Sequence, residues 1–288
     1  MTSRWSVLTA VVPDALEDEI AAVLGSGSLG VAVAPSGPGA SRVSIYLAQA
    51  EDADAWRERA RSVLSAHGLT DAAWRLSVDA VEDERWVERW QESLAPIPLG
   101  TRFVVMPAEG RKVPDGRDPI LLVPGMAFGT GEHETTRLCA AGLERYVTAG
   151  SRWLDLGTGT GVLAIVAARC GASRVLAVDV DPQAVRVASS VVAANSAGAR
   201  VEVREGSIAD RGGETFDGIV ANIQASFFLA QAPELASAML DSGALLASGL
   251  LVEDVSEVRR ALEAAGLAVK ETSSEGPWAL LSARRGRP

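Results

Sequence analysis

The sequence predicts an α/β protein: a Rossmann-like, mostly parallel seven-stranded sheet closing on a terminal antiparallel hairpin, preceded by a small α+β, ferredoxin-like domain. Three observations carry this. The apolar run Trp153-Leu154-Asp155-Leu156 leads into Gly157-x-Gly159-x-Gly161 and then the apolar stretch Val162 to Cys170, which reads as strand, glycine turn and helix. Apolar strand runs then alternate with helical patterns, as βα units do. Residues 1–78 show the order βαββαβ without any glycine fingerprint.

In the first domain, Trp5 to Val12 is apolar and β-branched, a strand. Pro13-Asp14 opens a helical pattern to Leu24 with Leu16, Ile20 and Val23-Leu24 on one face. Leu29 to Ala34, Val43 to Leu47 and Trp74 to Val78 read as further strands, with turn chemistry at Pro35 to Gly39. Ala53 to His67 is an amphipathic helix carrying Trp56, Ala60, Val63 and Leu64. This is a binding or positioning module.

Residues 79–98 form a linker. Its charged stretch to Gln91 predicts a helix with Trp86 and Trp90 on one face, ended by Pro96 and Pro98. The second domain, 99–288, opens with two strands, Arg102 to Met106 and Ile120 to Val123, expected as a hairpin around a polar turn at Lys112 to Asp118. The glycine-rich loop Pro124 to Thr136 follows, then a helix to about Tyr146 that Thr135 or Glu134 is expected to cap. A polar loop with glycines and a single aromatic suits a ligand clamp, so Phe128, Thr130, Gly131 and Thr135 are candidate contacts.

A dinucleotide fingerprint needs a glycine where this chain has Val162. Gly157-x-Gly159-x-Gly161 with Asp155 two residues before it is instead the pattern of S-adenosylmethionine sites, where the glycines let backbone pass close under the cofactor. Asp155 is placed to favour the cofactor's cationic end. Arg174 to Val178 is the next strand. Asp179 at its end is placed to accept two ribose hydroxyls, and Asp181 before Pro182 reads as a helix N-cap. After the strand Val201 to Arg204, Ser207 and Ile208 are expected beside the adenine. After the strand Phe216 to Val220, Asn222 is expected next to the cofactor, with an amide able to position an amine nucleophile. Pro233 to Leu240 reads as a helix, Gly243 to Ser248 as a strand, and Glu253 to Ala265 as a helix. Leu267 to Thr272 and Trp278 to Ala283 form the terminal hairpin.

The net charge of −10 argues against a nucleic-acid backbone as partner and suits a basic protein. Cys139 and Cys170 have no ligand spacing around them, so neither disulfide nor metal is expected. Met1 to Glu19 lacks a basic region followed by a long apolar run, and Gly243 to Val252 is too short to span a bilayer, so a cytoplasmic protein without a signal peptide or membrane partner is expected.

Over nearly its whole length the chain resembles the bacterial ribosomal protein L-eleven methyltransferases (PrmA). The resemblance rests on Trp86-x-x-x-Trp90-Gln91, Pro124-Gly125-Met126-Ala127-Phe128-Gly129-Thr130-Gly131-x-His133-x-Thr135-Thr136, the glycine turn with Asp155, Asp179-Val180-Asp181-Pro182 and Val220-Ala221-Asn222-Ile223. It implies S-adenosyl-L-methionine as cofactor, held by Phe128, Thr130, Gly157, Asp179 and Asn222. It also implies N-methylation of lysine ε-amines, and of an N-terminal α-amine, on that ribosomal protein, with the N-terminal module recognising the substrate. The chain is expected to act as a monomer. Glu134, Gln224 and the two threonines of the glycine turn depart from the family's usual residues. Asn222 and His133 are the catalytic candidates, Asn222 orienting the amine and His133 as the one candidate base, an orienting role being favoured for it. Two other readings stand beside this one: a methyltransferase for a different protein or a small-molecule amine, and a cofactor-binding interaction module without turnover.

Overall fold

A computed structural model describes residues 5–17, 20–21, 30–47, 53–66, 68–69, 77–81, 95–107, 112–114, 116–122 and 133–286. The chain divides into two compact units, with the boundary between Leu94 and Ala95.

The first unit holds β1 (Trp5–Pro13), β2 (Gly30–Gly37), β3 (Ala40–Leu47), α1 (Ala53–Ala66) and β4 (Ser77–Val81). The antiparallel sheet has the order β2-β3-β1-β4, as the split βαβ layout requires. Leu8, Ala10 and Val12 alternate onto one face of β1 and pack with Val43 and Ile45 of β3, Ala60 and Leu64 of α1, and Ile20. Of the first expected helix, the described part is a 3-10 turn at Asp14–Leu16 and the helical residues 17 and 20–21. The last strand runs three residues beyond its expected end. Residues 79–81, expected to begin the linker helix, are extended because β1 offers them a pairing edge, with Trp5 opposite Val81. The rest of that helix, including Trp86 and Trp90, lies outside the described residues.

The second unit begins with β5 (Ile97–Leu99), β6 (Phe103–Met106) and β7 (Asp118–Leu121). Here the expected hairpin is not the one observed. The hairpin is β5 with β6, and β7 runs parallel to β6. Pro98 is compatible with a strand because β5 is an edge that need not donate there. Next comes α2 (Glu134–Tyr146), whose Glu144 carboxylate accepts from Thr101 N at 2.9 Å, Arg102 N at 2.8 Å and the Thr101 hydroxyl at 2.6 Å. That carboxylate closes the β5–β6 turn from outside it, a partner that local sequence does not reveal.

The main sheet comprises β8 (Arg152–Leu156), β9 (Arg174–Asp179), β10 (Val201–Glu205), β11 (Phe216–Asn222), β12 (Met239–Leu251), β13 (Leu267–Glu275) and β14 (Trp278–Arg285). Between them stand α3 (Val162–Cys170), α4 (Pro182–Ala194), α5 (Ala225–Ser237) and α6 (Val255–Ala264). The order is β10-β9-β8-β11-β12-β14-β13; the first five strands are parallel, and the β13–β14 hairpin closes the edge antiparallel. The seven-stranded sheet and its terminal hairpin are thus as expected. On one face Trp153, Val175, Val220 and Leu246 pack with Cys139 and Leu143 of α2 and Ile165 of α3. On the other, Leu154, Leu176, Ile219 and Leu245 pack with Phe228 and Leu235 of α5 and Leu262 of α6. The helix expected at Pro233 to Leu240 instead starts at Ala225 and stops at Ser237, with Pro233 inside it. Burial of Phe228 and Leu235 outweighs the one backbone bond a proline removes. No helix among the described residues is long and apolar enough to cross a membrane.

The sheet centre is tightly filled. A Cβ on Gly218 of β11 would lie 2.4 Å from the buried Trp153 ring, on a backbone that any residue adopts. Gly218→Ala is therefore expected to destabilise the fold by roughly 2–3 kcal/mol through overpacking alone, read as a lower denaturant midpoint at unchanged slope.

Candidate active site

The site is built where β8, β9 and β11 end. The turn after β8 wraps the end of β9: Gly157 N and Thr158 N both donate to Val178 O at 2.9 Å. Gly157, Gly159 and Gly161 have φ of 69°, 55° and 80°, the left-handed region that favours glycine. At Gly157 space demands it as well, since a Cβ would meet Ile223 at 2.9 Å.

Asp179 organises the rim. Its Oδ2 accepts from Gly159 N at 2.9 Å, its Oδ1 accepts from Asp181 N at 3.0 Å, and its carbonyl accepts from Gly206 N at 2.9 Å. One residue thus ties the loops after β8, β9 and β10 together, and each carboxylate oxygen retains a lone pair for a ligand hydroxyl. Asp181 caps α4 by accepting from Gln183 N at 2.8 Å, with Pro182 behind it, as the sequence predicts.

Asp155 lies beneath the turn, 1% exposed. Its Oδ2 accepts the Thr158 hydroxyl at 2.7 Å, while Oδ1 has no hydrogen-bond partner among the described residues. Burial pushes this carboxyl up to about 7; the Thr158 hydroxyl and the Ala164 amide pull it down, and Asp179 pushes it further up. The folded chain therefore keeps a proton that the unfolded chain releases near pH 4. This contribution makes stability fall as pH rises from about 4 to about 7 and then level off. Asp155→Asn is expected to flatten that slope. Urea midpoints at several pH values across this window test it, and identical slopes in variant and parent would refute it.

Asn222 ends β11, its Oδ1 buried and without a partner among the described residues. Asp155 stands opposite Val220, and Asn222 stands opposite Ser248 on β12. Period-two alternation therefore puts Asp155, Asn222 and Ser248 on one face of the sheet. That is the face α2 covers. Cys139 of α2 packs with Trp153, Val220 and Leu246 of this face; burial, chiefly, pushes its thiol up, with the Ser248 hydroxyl opposing and Asp155 adding.

One turn before Cys139 is Thr136, 1% exposed, its hydroxyl also lacking a partner among the described residues. The motif had pointed to Thr135 instead. In the structure Thr135 is engaged in the helix cap. Its hydroxyl lies 2.8 Å from His133 Nδ1, which also accepts from Thr135 N at 3.3 Å. His133, not Thr135 or Glu134, caps α2, and its ring packs edge-on against Trp278 with centroids 4.7 Å apart. A cap geometry was the one available signal for Thr136: with residue 133 as cap, residue 136 points inward.

Ser207 and Ile208 are differently employed from the expectation. The Ser207 hydroxyl donates to Asp210 Oδ2 at 2.7 Å in a capping box, and Ile208 is 2% exposed, packed in the core. Phe128, Thr130 and Gly131 lie outside the described residues. Asp155 and Asn222 thus contribute buried oxygens without partners among the described residues on one face at the end of the sheet, with the Asp179 carboxylate at the rim, and Thr136 contributes a third on the helix that covers that face. The arrangement suits a ligand with hydroxyls at one end and a cationic, hydrogen-donating group at the other.

Residues 24–286 match the family model described as ribosomal protein L11 methyltransferase (PrmA). A ribosomal protein L11 methyltransferase of Pelotomaculum thermopropionicum is 42% identical, over 85% of this chain and 80% of that protein. One of Pelobacter propionicus is 36% identical over 99% of both. Among solved structures, the ribosomal protein L11 methylase of Lactobacillus delbrueckii subsp. bulgaricus matches with a TM-score of 0.62 at 29% identity, covering 67% of this chain and all of that one. With a buried acid beneath a glycine turn, a second acid at the next strand end and this match along most of its length, the chain belongs to the ribosomal protein L11 methyltransferase family.

Proposed function

We propose that the protein uses S-adenosyl-L-methionine to N-methylate lysine ε-amines, and the N-terminal α-amine, of ribosomal protein L11 in the cytoplasm, acting as a monomer. The observation that carries this is the set of buried oxygens without partners among the described residues, Asp155 Oδ1, Asn222 Oδ1 and Thr136 Oγ1, beside the Asp179 rim. When bound, the cofactor supplies a methyl group on a sulfonium, already activated for transfer. The chain's own residues would hold hydroxyls at Asp179 and orient a neutral amine at Asn222, while a bound positive charge would draw the buried Asp155 carboxyl back to its charged form.

A lysine amine with its ordinary pKa near 10.4 costs about 4–5 kcal/mol to deprotonate at neutral pH. Exclusion of water and a neighbouring positive charge both lower that cost, so no dedicated base is required. His133, with Nδ1 turned into the α2 cap, serves as an orienting residue in this reading. The N-terminal βαββαβ unit, which lacks a site of its own in the sequence, serves as the substrate-recognition module, and the protein's acidity suits a basic partner.

Incubation of the protein with methyl-labelled cofactor and purified ribosomal protein L11, followed by mass spectrometry, tests the proposal. Label on lysine and N-terminal amines is expected. Label appearing only on another protein or on small amines would replace the substrate, and cofactor binding without transfer to any acceptor would leave a binding module.

A further inference from the structure

The first turn of α2 carries Thr136, and both of its flanks are held by the tip of the β13–β14 hairpin. Arg137 places Nε at 3.0 Å and Nη2 at 2.6 Å from a single oxygen, Oε1 of Glu275, the last residue of β13. On the other flank the His133 ring meets the Trp278 ring edge-on at 4.7 Å, and Trp278 opens β14. The tip is itself fixed to the sheet, because Val252 N donates to Pro277 O at 2.9 Å and the Ser248 hydroxyl donates to Ala279 O at 2.9 Å. Glu134 adds a second carboxylate 3.7 Å from Arg137.

Residues 133 and 137 bracket Thr136, so a rotation or shift of this turn moves the Thr136 hydroxyl directly. The cap made by His133 and Thr135 is internal to the turn and would travel with such a shift. Core packing of Cys139 and Leu143 anchors the body of α2, and the hairpin tip adds two contacts of different chemistry at its first turn.

We propose that Glu275 and Trp278, acting through Arg137 and His133, are positioning residues of the methyltransferase site that hold the Thr136 hydroxyl in place for the cofactor. The inference rests on the reading that Thr136 belongs to the cofactor site. The ion pair is half-exposed and contributes little to stability by itself. Its consequence is geometric, and it falls on binding rather than folding.

The test is calorimetric titration with S-adenosyl-L-methionine, alongside KM for the cofactor, kcat and melting temperature. Glu275→Ala and Trp278→Leu are each expected to raise Kd and KM about tenfold, the scale of one misplaced hydrogen bond, with kcat at saturation within about twofold of the parent. Glu275→Gln is expected to recover most of the affinity, because both guanidinium bonds go to one oxygen that an amide retains. Thr136→Val serves as reference and is expected to lose affinity by at least as much. Parent-like Kd in Glu275→Ala and Trp278→Leu, with Thr136→Val weakened, would overturn the positioning role alone. Parent-like Kd in Thr136→Val would overturn the placement of Thr136 in the site, and the proposal with it. A lowered melting temperature with unchanged Kd would also count against it.

Discussion

Asp179→Ala is expected to raise the dissociation constant for S-adenosyl-L-methionine by a hundredfold or more. Two effects act together. In the proposed site the variant removes both oxygens assigned to the ribose hydroxyls, and hydrogen bonds to a charged acceptor contribute roughly 1.5–3 kcal/mol each. It also removes the partner of Gly159 N and of Asp181 N, so the glycine turn and the start of α4 lose their common tie. Together these correspond to about 3–5 kcal/mol, a hundred- to several-thousandfold in affinity. Asp179→Asn keeps one acceptor oxygen and is expected to fall between the two. Calorimetry decides the matter: unchanged affinity in Asp179→Ala would place the cofactor elsewhere.

Asn222→Ala is expected to lower kcat on the order of a hundredfold while changing cofactor affinity much less, the scale of losing the orientation of a nucleophile. An amide oxygen without a partner among the described residues, at the end of a central strand, is a standing desolvation cost that a ligand relieves. It stands on the same face as Asp155 and beside Ser248, so an amine bound there sits between the sheet end and α2. Single-turnover kinetics at saturating cofactor separate the two effects. A variant that turns over like the parent would exclude Asn222 from orienting the amine; one that loses mainly cofactor affinity would make it a binding residue only.

Much of this was legible in the sequence because its causes are local. The unit from β8 to α4 stands as expected: an apolar strand, a turn needing φ above zero, a helix of small apolar residues, then Asp181-Pro182 at a cap. Each depends on residues a few positions apart. The same holds for the alternation of β1 and for the terminal hairpin. The failures share the opposite property. The direction of β7 depends on which edge of β6 it meets. The start of α5 depends on burial of Phe228 against β11 and β12, which outweighs the stop signal read in Pro233. The cap of α2, expected at Thr135 or Glu134, is His133, which a loop-like stretch of glycines and polar residues does not single out.

The sequence by itself determined the fold class, the glycine turn and the positions of the two acids that flank it, because glycine conformation, strand periodicity and capping act over a few residues. Only the tertiary structure decided the surroundings of those groups. Burial pushes the Asp155 carboxyl up to about 7 and leaves the Asn222 and Thr136 side-chain oxygens without partners among the described residues. Packing turns His133 into a cap against Trp278 and joins Arg137 to Glu275 across 138 positions of chain. Desolvation and missing partners are properties of the assembled interior, where distant segments remove water from one another, and no short stretch of sequence records which segments those are.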